Sequence, residues 1–169
     1  MVDVGILSED EPLELVDGEL IVVPPQSPPH ANLTALLADR LRATYGDGYV
    51  VRVASPLVAR PDSLPEPDVA VFHGGYADFS ARHPRGDEAA LVVEVARTSV
   101  RIDRKKAAAY ARAGVATYWL IDLVNLRVEV HTEPHVDGRY ALVRVLAPED
   151  EIELPYTAVK WPAARLLPG

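Results

Sequence analysis

Apolar and polar positions along the chain follow two periods, one typical of strands and one typical of helices. LELVDGELIVVPP (13–25) has two apolar-rich runs on either side of Asp17-Gly18, a dipeptide that favours a two-residue hairpin turn. Leucines recur at helical spacing from His30, and 103–115 is rich in alanine and long straight side chains, so both segments are predicted helices. Strands are predicted at about 49–54, 56–60, 67–73, 90–96, in TYWLIDL and LRVEVHT, and at 139–146.

The order of these elements predicts an α/β fold, a sheet with a helix packed near each half. Strand 90–96, helix 103–114 and strand 117–123 have connections short enough for a right-handed crossover between parallel strands. Residues 74–89 are polar, contain glycine and are predicted to form a surface loop. We expect one domain over residues 1–169, because no linker, repeat or low-complexity tract divides the chain.

The composition is that of an ordinary folded domain, and we expect it in the cytoplasm. Of the 169 residues, 49% are hydrophobic and 25% are charged, and no apolar run approaches the roughly 20 residues that cross a bilayer. The opening MVDVGILSEDEP is acidic where a secretory signal is basic. Cysteine is absent, which excludes disulfides and thiolate metal sites, so any metal must have oxygen or histidine ligands.

Charge is unevenly distributed along the chain. The net charge of −8 argues against a protein that coats nucleic acid by bulk electrostatic attraction. A basic segment nevertheless follows Glu94, with Arg97, Arg101, Arg104, Lys105 and Lys106. A solvated helix face explains this segment as well as a binding surface does.

Two acids interrupt apolar strands. Asp68 opens the run VAVF, and Glu94 lies within ALVVEVA. Burying an ionised carboxylate costs several kcal/mol unless a cation meets it. If the two strands are neighbours, both carboxylates can bind one divalent cation, and Mg²⁺ fits a site with one or two carboxylates best. Each acid alone has a simpler interpretation, an edge-strand side chain facing solvent.

The helix predicted after Glu94 carries lysines that could lie close to the two acids. Lys106 and Tyr110 are four residues apart, so they share one face of the helix. Lys106 is predicted to face the two acids and to orient a water or stabilise phosphate charge. Lys105 is the competing candidate, since helix phase read from sequence is uncertain by a residue or two. An exposed lysine is the plain alternative for either.

Glu14 and His30 are further candidates. Glu14 alternates with apolar Leu13 and Leu15, so it could present a third carboxylate from the first hairpin, although a solvated strand position is the simpler interpretation. His30 follows two prolines at a helix start. Helix capping is the simpler interpretation there, and a phosphate contact is the alternative.

These residues together resemble a known family. ELVDGEL, the proline-rich approach to His30, the Pro67-Asp68 pair, LVVEVARTS, Lys106 with YARAGV and then TYWLID occur in the order found in the Uma-two family, restriction-endonuclease-like proteins of the PD-(D/E)XK superfamily. The resemblance extends from Leu13 to about Asp122, and YARAGVATYWLID is its most specific block. It implies a mixed sheet flanked by helices and metal-dependent cleavage of a DNA phosphodiester.

The resemblance also implies roles for single residues. Asp68 matches the aspartate of the PD pair, Glu94 the second acidic ligand and Glu14 the N-terminal glutamate. The superfamily's usual lysine position is Ala96 here, and Lys106 matches the helical lysine of the family by its spacing to Tyr110. Arg97-Thr98 replaces the family's serine-proline, whereas Ser99 is retained.

Two hypotheses of function follow. The first is a Mg²⁺-dependent (or Mn²⁺-dependent) nuclease in which Asp68 and Glu94 hold the ion with a backbone carbonyl near Val95 or Ala96, while Glu14 assists a ligand water and Lys106 orients the nucleophile. The second is a catalytically silent relative that binds DNA or protein without metal, with Arg97, Arg101 and Arg104 as contacts.

A homodimer is expected on electrostatic grounds. A chain of net charge −8 presents little positive potential, and a two-fold pair would bring two basic segments and two sites together on a duplex. LRVEVHT and RYALVRVL could pack across the two-fold axis, or they could complete the core of the single chain.

Overall fold

The computed structural model describes residues 12–23, 25–96 and 100–167. Its helices are α1 (Pro28–Tyr45) and α2 (Val100–Arg112). Its strands are β1 (Leu13–Val16), β2 (Glu19–Val22), β3 (Tyr49–Val53), β4 (Val69–His73), β5 (Ala89–Ala96), β6 (Thr117–Asp122), β7 (Arg127–Pro134), β8 (Tyr140–Leu146), β9 (Glu151–Glu153) and β10 (Lys160–Pro162). Neither helix is long and apolar enough to cross a membrane, and the described residues contain no other candidate span.

A six-stranded mixed sheet forms the centre of the molecule. Its order is β3-β4-β5-β6-β7-β8, and β5 and β6 are parallel while every other neighbouring pair is antiparallel. The strand, helix, strand unit predicted around α2 is therefore confirmed, and so is the α/β class. β1 with β2 and β9 with β10 form two-stranded hairpins outside this sheet.

The two helices cover opposite faces of the sheet and create two cores. Leu37 and Leu41 of α1 pack in one cluster with Val93 of β5, whereas Tyr110 of α2 packs in the other with Val92. β5 and β6 are buried along their whole length because both faces are covered. This explains why these strands are nearly continuous apolar runs, and it makes the charge of Glu94 exceptional.

The first hairpin forms where the sequence predicts it. Asp17 and Gly18 both have positive φ, 52° and 77°, as a type I′ turn requires. The register pairs Glu14 with Ile21, and Glu14 is buried while Glu19 is exposed. The turn thus fixes which glutamate of the hairpin faces the interior.

Three features of the predicted secondary structure differ in the fold. Residues 56–60 form no strand and make only isolated bridges, because prolines at 56, 61, 65 and 67 remove ladder donors. α2 begins at Val100, before the alanine-rich run on which its prediction rested. The predicted loop 74–89 contains two short 3₁₀ turns, Tyr76–Phe79 and Gly86–Glu88.

Candidate active site

Asp68 and Glu94 lie side by side on one face of the sheet. β4 and β5 pair antiparallel with Val69 opposite Val93, and the same register places Asp68, which directly precedes β4, opposite Glu94. Directly opposed residues of an antiparallel pair point to the same face, here the face covered by α2. The relative exposure is 2% for Glu94 and 9% for Asp68. The predicted placement on neighbouring strands is confirmed, and neither acid faces solvent.

Asp68 is held at both of its oxygens. The amide of Val95 donates to Oδ2 at 2.8 Å, and Nε2 of His30 lies 2.7 Å from Oδ1. The side-chain amide of Gln26 donates to the same Oδ1 at 3.3 Å. The interpretation of His30 as a helix cap is wrong, because α1 begins earlier and Ser27 occupies the N-cap position.

Pro67 affects the hydrogen bonding of Val95 on the neighbouring strand. Extending the β4–β5 register by two positions puts Pro67 opposite Val95. Proline has no amide hydrogen, so the reciprocal pair of ladder hydrogen bonds cannot form at this position. The Val95 amide donates to the Asp68 carboxylate. The proline therefore leaves the Val95 carbonyl without its ladder donor from residue 67, beside two carboxylates.

Glu94 receives two hydrogen bonds on the same oxygen. Nζ of Lys106 lies 3.1 Å from Oε1, and the hydroxyl of Tyr110 donates to Oε1 at 2.7 Å. Both contacts are to Oε1, and no described residue donates to Oε2 of this side chain. The carboxylate is thus fixed through one oxygen, and the second oxygen keeps its lone pairs.

Lys106 joins two acids in the interior. Its Nζ contacts Glu14 at 2.8 and 2.9 Å and Glu94 at 3.1 Å, and the lysine is 4% exposed. Lys105 turns to the surface and pairs with Glu19. The lysine that faces the acids is therefore Lys106, as the helical stripe with Tyr110 predicts. The solvent-facing interpretations of Lys106 and of Glu14 are wrong.

The site carries more negative than positive charge. Burial raises the pKa of Glu94 well above its usual value against the opposing effect of Lys106, and the Asp68 carboxylate adds to the increase. Burial lowers the pKa of Lys106, but Glu94 and Glu14 outweigh this effect and raise it above its usual value. Burial also raises the pKa of Tyr110, next to Glu94. A bound cation would offset this excess of charge.

The donor set fits Mg²⁺ better than a cation that needs many protein ligands. Among the described residues, no group of three or more histidine, aspartate or glutamate side chains is arranged to hold a metal ion. Asp68 and Glu94 offer two carboxylates, and Glu14 is turned to Lys106. Mg²⁺ is usually bound through one or two carboxylates, with waters and phosphate oxygens completing its octahedron.

Of the remaining sequence candidates, Arg104 has a described side chain. Arg97 and Ser99 lie outside the described residues, as does the side chain of Arg101. Arg104 binds the buried Glu129 at 2.7 Å and keeps 53% of its side chain exposed, so its role as a contact with DNA or protein stays a prediction. Sequence reasoning missed Gln26, an exposed polar residue between prolines, which no periodicity distinguishes from other loop residues.

Comparison with known proteins identifies the family and the fold of the chain. The model of the Uma2 family, described as "Putative restriction endonuclease", matches residues 5–164. The chain belongs to the Uma2 family. The crystal structure of a "putative nuclease" from Anabaena variabilis shares the fold of this Uma2 protein, with a TM-score of 0.77 and 17% identity over 95% of this chain and 92% of that chain. No curated protein matches the sequence. The resemblance inferred from sequence motifs and the restriction-endonuclease-like fold are both confirmed.

The Tyr110 hydroxyl is expected to stabilise the Uma2 protein through Glu94. Tyr110→Phe removes only the hydroxyl that donates to Oε1 of this buried acid. We expect a loss of about 1.5–3 kcal/mol in the free energy of unfolding, measured by urea denaturation, as for hydrogen bonds to charged groups.

Tyr118→Phe is the matched control for this substitution. Tyr118 is as deeply buried as Tyr110 and lies on the same sheet face, but its hydroxyl donates to the backbone carbonyl of Asp103 at 3.1 Å. A neutral hydrogen bond contributes about 0.5–1.5 kcal/mol. Equal losses in the two variants would contradict a charged partner for Tyr110.

Proposed function

We propose that this chain is a metal-dependent endonuclease that hydrolyses phosphodiester bonds of DNA. The observation that carries the proposal is the pair of buried carboxylates, Asp68 opposite Glu94, with a buried lysine against one of them and an excess of negative charge. Three buried carboxylates, those of Asp68, Glu94 and Glu14, lie near a single buried lysine, and a divalent cation would offset the remaining negative charge. The absence of cysteine is compatible with the cytoplasm, which we propose as its location.

Three oxygen donors would hold the ion. These are the Asp68 carboxylate, Oε2 of Glu94 and the carbonyl of Val95, which Pro67 leaves without its ladder donor. Bound Mg²⁺ or Mn²⁺ polarises a phosphoryl oxygen and lowers the pKa of a coordinated water. Val95 would contribute two groups to such a site. Its amide donates to Oδ2 of Asp68, and its carbonyl would be the third oxygen ligand of the ion.

Lys106 and Glu14 would position the attacking water. An ammonium group has three hydrogens, and Lys106 directs them to both oxygens of Glu14 and to Oε1 of Glu94. One of the two hydrogen bonds from Lys106 to Glu14 can be replaced by a hydrogen bond to a water, and Lys106 then still contacts both carboxylates. Glu14 can accept a hydrogen bond from the same water, and the ammonium stabilises charge that develops on the phosphate.

A catalytically silent DNA- or protein-binding module is the second candidate. It is favoured by one observation, since Lys106 already supplies a counter-charge to Glu94 without any metal. Cleavage of supercoiled plasmid and of single-stranded DNA, each with Mg²⁺ and with Mn²⁺, distinguishes the two. The nuclease converts plasmid to nicked or linear forms only when the ion is present, and the silent module leaves both substrates intact.

The proposed nuclease acts as a homodimer formed through β8. This strand is an edge of the sheet, and Leu142, Val143 and Val145 on it are exposed. LRVEVHT forms most of β7, which already pairs with β6 on one side and β8 on the other, so it cannot pair with a second copy. An edge strand with apolar side chains can pair antiparallel with its own copy across a two-fold axis.

Light scattering tests the dimer. We expect a mass of about twice 18.4 kDa at micromolar concentration in moderate salt. Val143→Lys places a charge on the exposed edge and should yield the single-chain mass, following the way natural edge strands avoid pairing. A single-chain mass for the unmodified protein would contradict the dimer.

A further inference from the structure

Two side chains at the start of α1 converge on one oxygen of Asp68. Nε2 of His30 lies 2.7 Å from Oδ1, and Nε2 of Gln26 lies 3.3 Å from it. The His30 side chain is 15% exposed and Gln26 is exposed, so both lie on the side of the carboxylate that faces solvent. They thus stand between the buried acids and any ligand that arrives from outside.

The other oxygen of Asp68 is already committed to the backbone. Val95 donates to Oδ2, so Oδ1 is the oxygen that remains for an ion. An ion on Oδ1 would compete with the two donors for its lone pairs. His30 and Gln26 would then be free donors directly beside the ion, where an oxygen of a bound phosphate completes the coordination shell.

The start of α1 has few other groups that could bind a phosphate. Pro28 and Pro29 occupy the first turn and have no amide hydrogens, so the usual anion site of a helix N-terminus is reduced. Ser27 carries a buried hydroxyl that has no hydrogen-bond partner among the described residues. The donors that this segment directs to Asp68 are the side chains of Gln26 and His30.

We propose that His30 and Gln26 form a subsite that binds a non-bridging oxygen of the DNA phosphate at the ion. Oδ1 of Asp68 accepts from both donors while the subsite is empty. This inference rests on the proposed function, and it assigns to His30 a contact with the substrate rather than support of a metal ligand.

The two roles of His30 differ in their effect on ion binding. A residue that only steadies Asp68 weakens ion binding when it is removed. A residue whose hydrogen bond to Oδ1 is displaced by the ion does not weaken ion binding when it is removed. The affinity for Mn²⁺, measured by calorimetry without DNA, therefore separates the two roles independently of catalysis.

The experiment compares His30→Ala, Gln26→Ala and His30→Gln in the full chain. Binding of a short duplex is measured by fluorescence anisotropy with Ca²⁺ in place of Mg²⁺. We expect His30→Ala to weaken duplex binding about tenfold, as for one lost hydrogen bond to a charged group, and Gln26→Ala to weaken it less because its contact is longer. His30→Gln retains a donor and restores most of the affinity. Mn²⁺ affinity stays within about twofold of the original in all three.

A distant histidine supplies the matched control. His135 is exposed and pairs with Asp137 beyond the end of β7, so His135→Ala should leave both affinities unchanged. A tenfold loss of Mn²⁺ affinity in His30→Ala, or unchanged duplex binding in that variant, overturns the subsite. If the unmodified protein binds no Mn²⁺, the proposed function fails first, and the subsite fails with it.

Discussion

Asp68→Asn is expected to lower the rate of DNA cleavage at least about 100-fold and to abolish Mn²⁺ binding at the proposed site. The substitution keeps the size of the side chain, and the amide oxygen of asparagine can still accept from Val95. It removes the negative charge that the ion needs. Plasmid cleavage with Mg²⁺ measures the rate, and calorimetry with Mn²⁺ measures the binding.

The stability of Asp68→Asn should separate the loss of function from a loss of fold. The Asp68 charge raises the pKa of Glu94, so its removal relieves repulsion between buried acids. We expect a thermal midpoint no lower than that of the unmodified protein by more than a few degrees, although two donors at Oδ1 lose a charged acceptor.

Asp39→Asn is the control for Asp68→Asn. Asp39 lies on the exposed face of α1 and pairs with Arg42, so its charge should not affect cleavage or ion binding. Cleavage by Asp68→Asn at the original rate would end the assignment of Asp68 as an ion ligand.

The two central acids were predictable because burial makes them costly. Asp68 and Glu94 stand in apolar runs that fold as neighbouring strands, and a carboxylate in such a position requires a partner. Lys106 was predictable in part. The stripe with Tyr110 indicates the correct face, but only the packing of α2 against the sheet shows which lysine reaches Glu94.

The contacts around Asp68 were not predictable from local pattern. His30 reaches Asp68 across 38 positions of sequence, and the packing of α1 against the sheet determines this approach. A histidine after two prolines looks like a helix terminus, and nothing local indicates an acid 2.7 Å away. The prediction of a strand at 56–60 is also wrong. The apolar residues of this segment correctly indicate burial, but the prolines around it prevent strand pairing.

Lys106→Met is expected to destabilise the protein by about 3–5 kcal/mol, because it leaves Glu14 and Glu94 buried without a cation. For a chain of this size the thermal midpoint should fall by about 6–20 °C. Lys105→Met is the control. Its lysine pairs at the surface with the exposed Glu19, and such pairs contribute about 0–1 kcal/mol. Similar losses in both variants would contradict the role of Lys106 as the buried counter-charge.

A double-mutant cycle shows how much of this loss comes from Glu94. Glu94→Gln removes the buried charge while an amide oxygen remains to accept from Tyr110. In Lys106→Met with Glu94→Gln, one of the two acids that need the ammonium is gone, so the combined loss should be smaller than the sum of the single losses by about 1–3 kcal/mol. Urea denaturation of the four proteins measures this coupling. Additive losses would mean that Lys106 stabilises the fold through Glu14 alone, and they would weaken the link between the lysine and the proposed ion site.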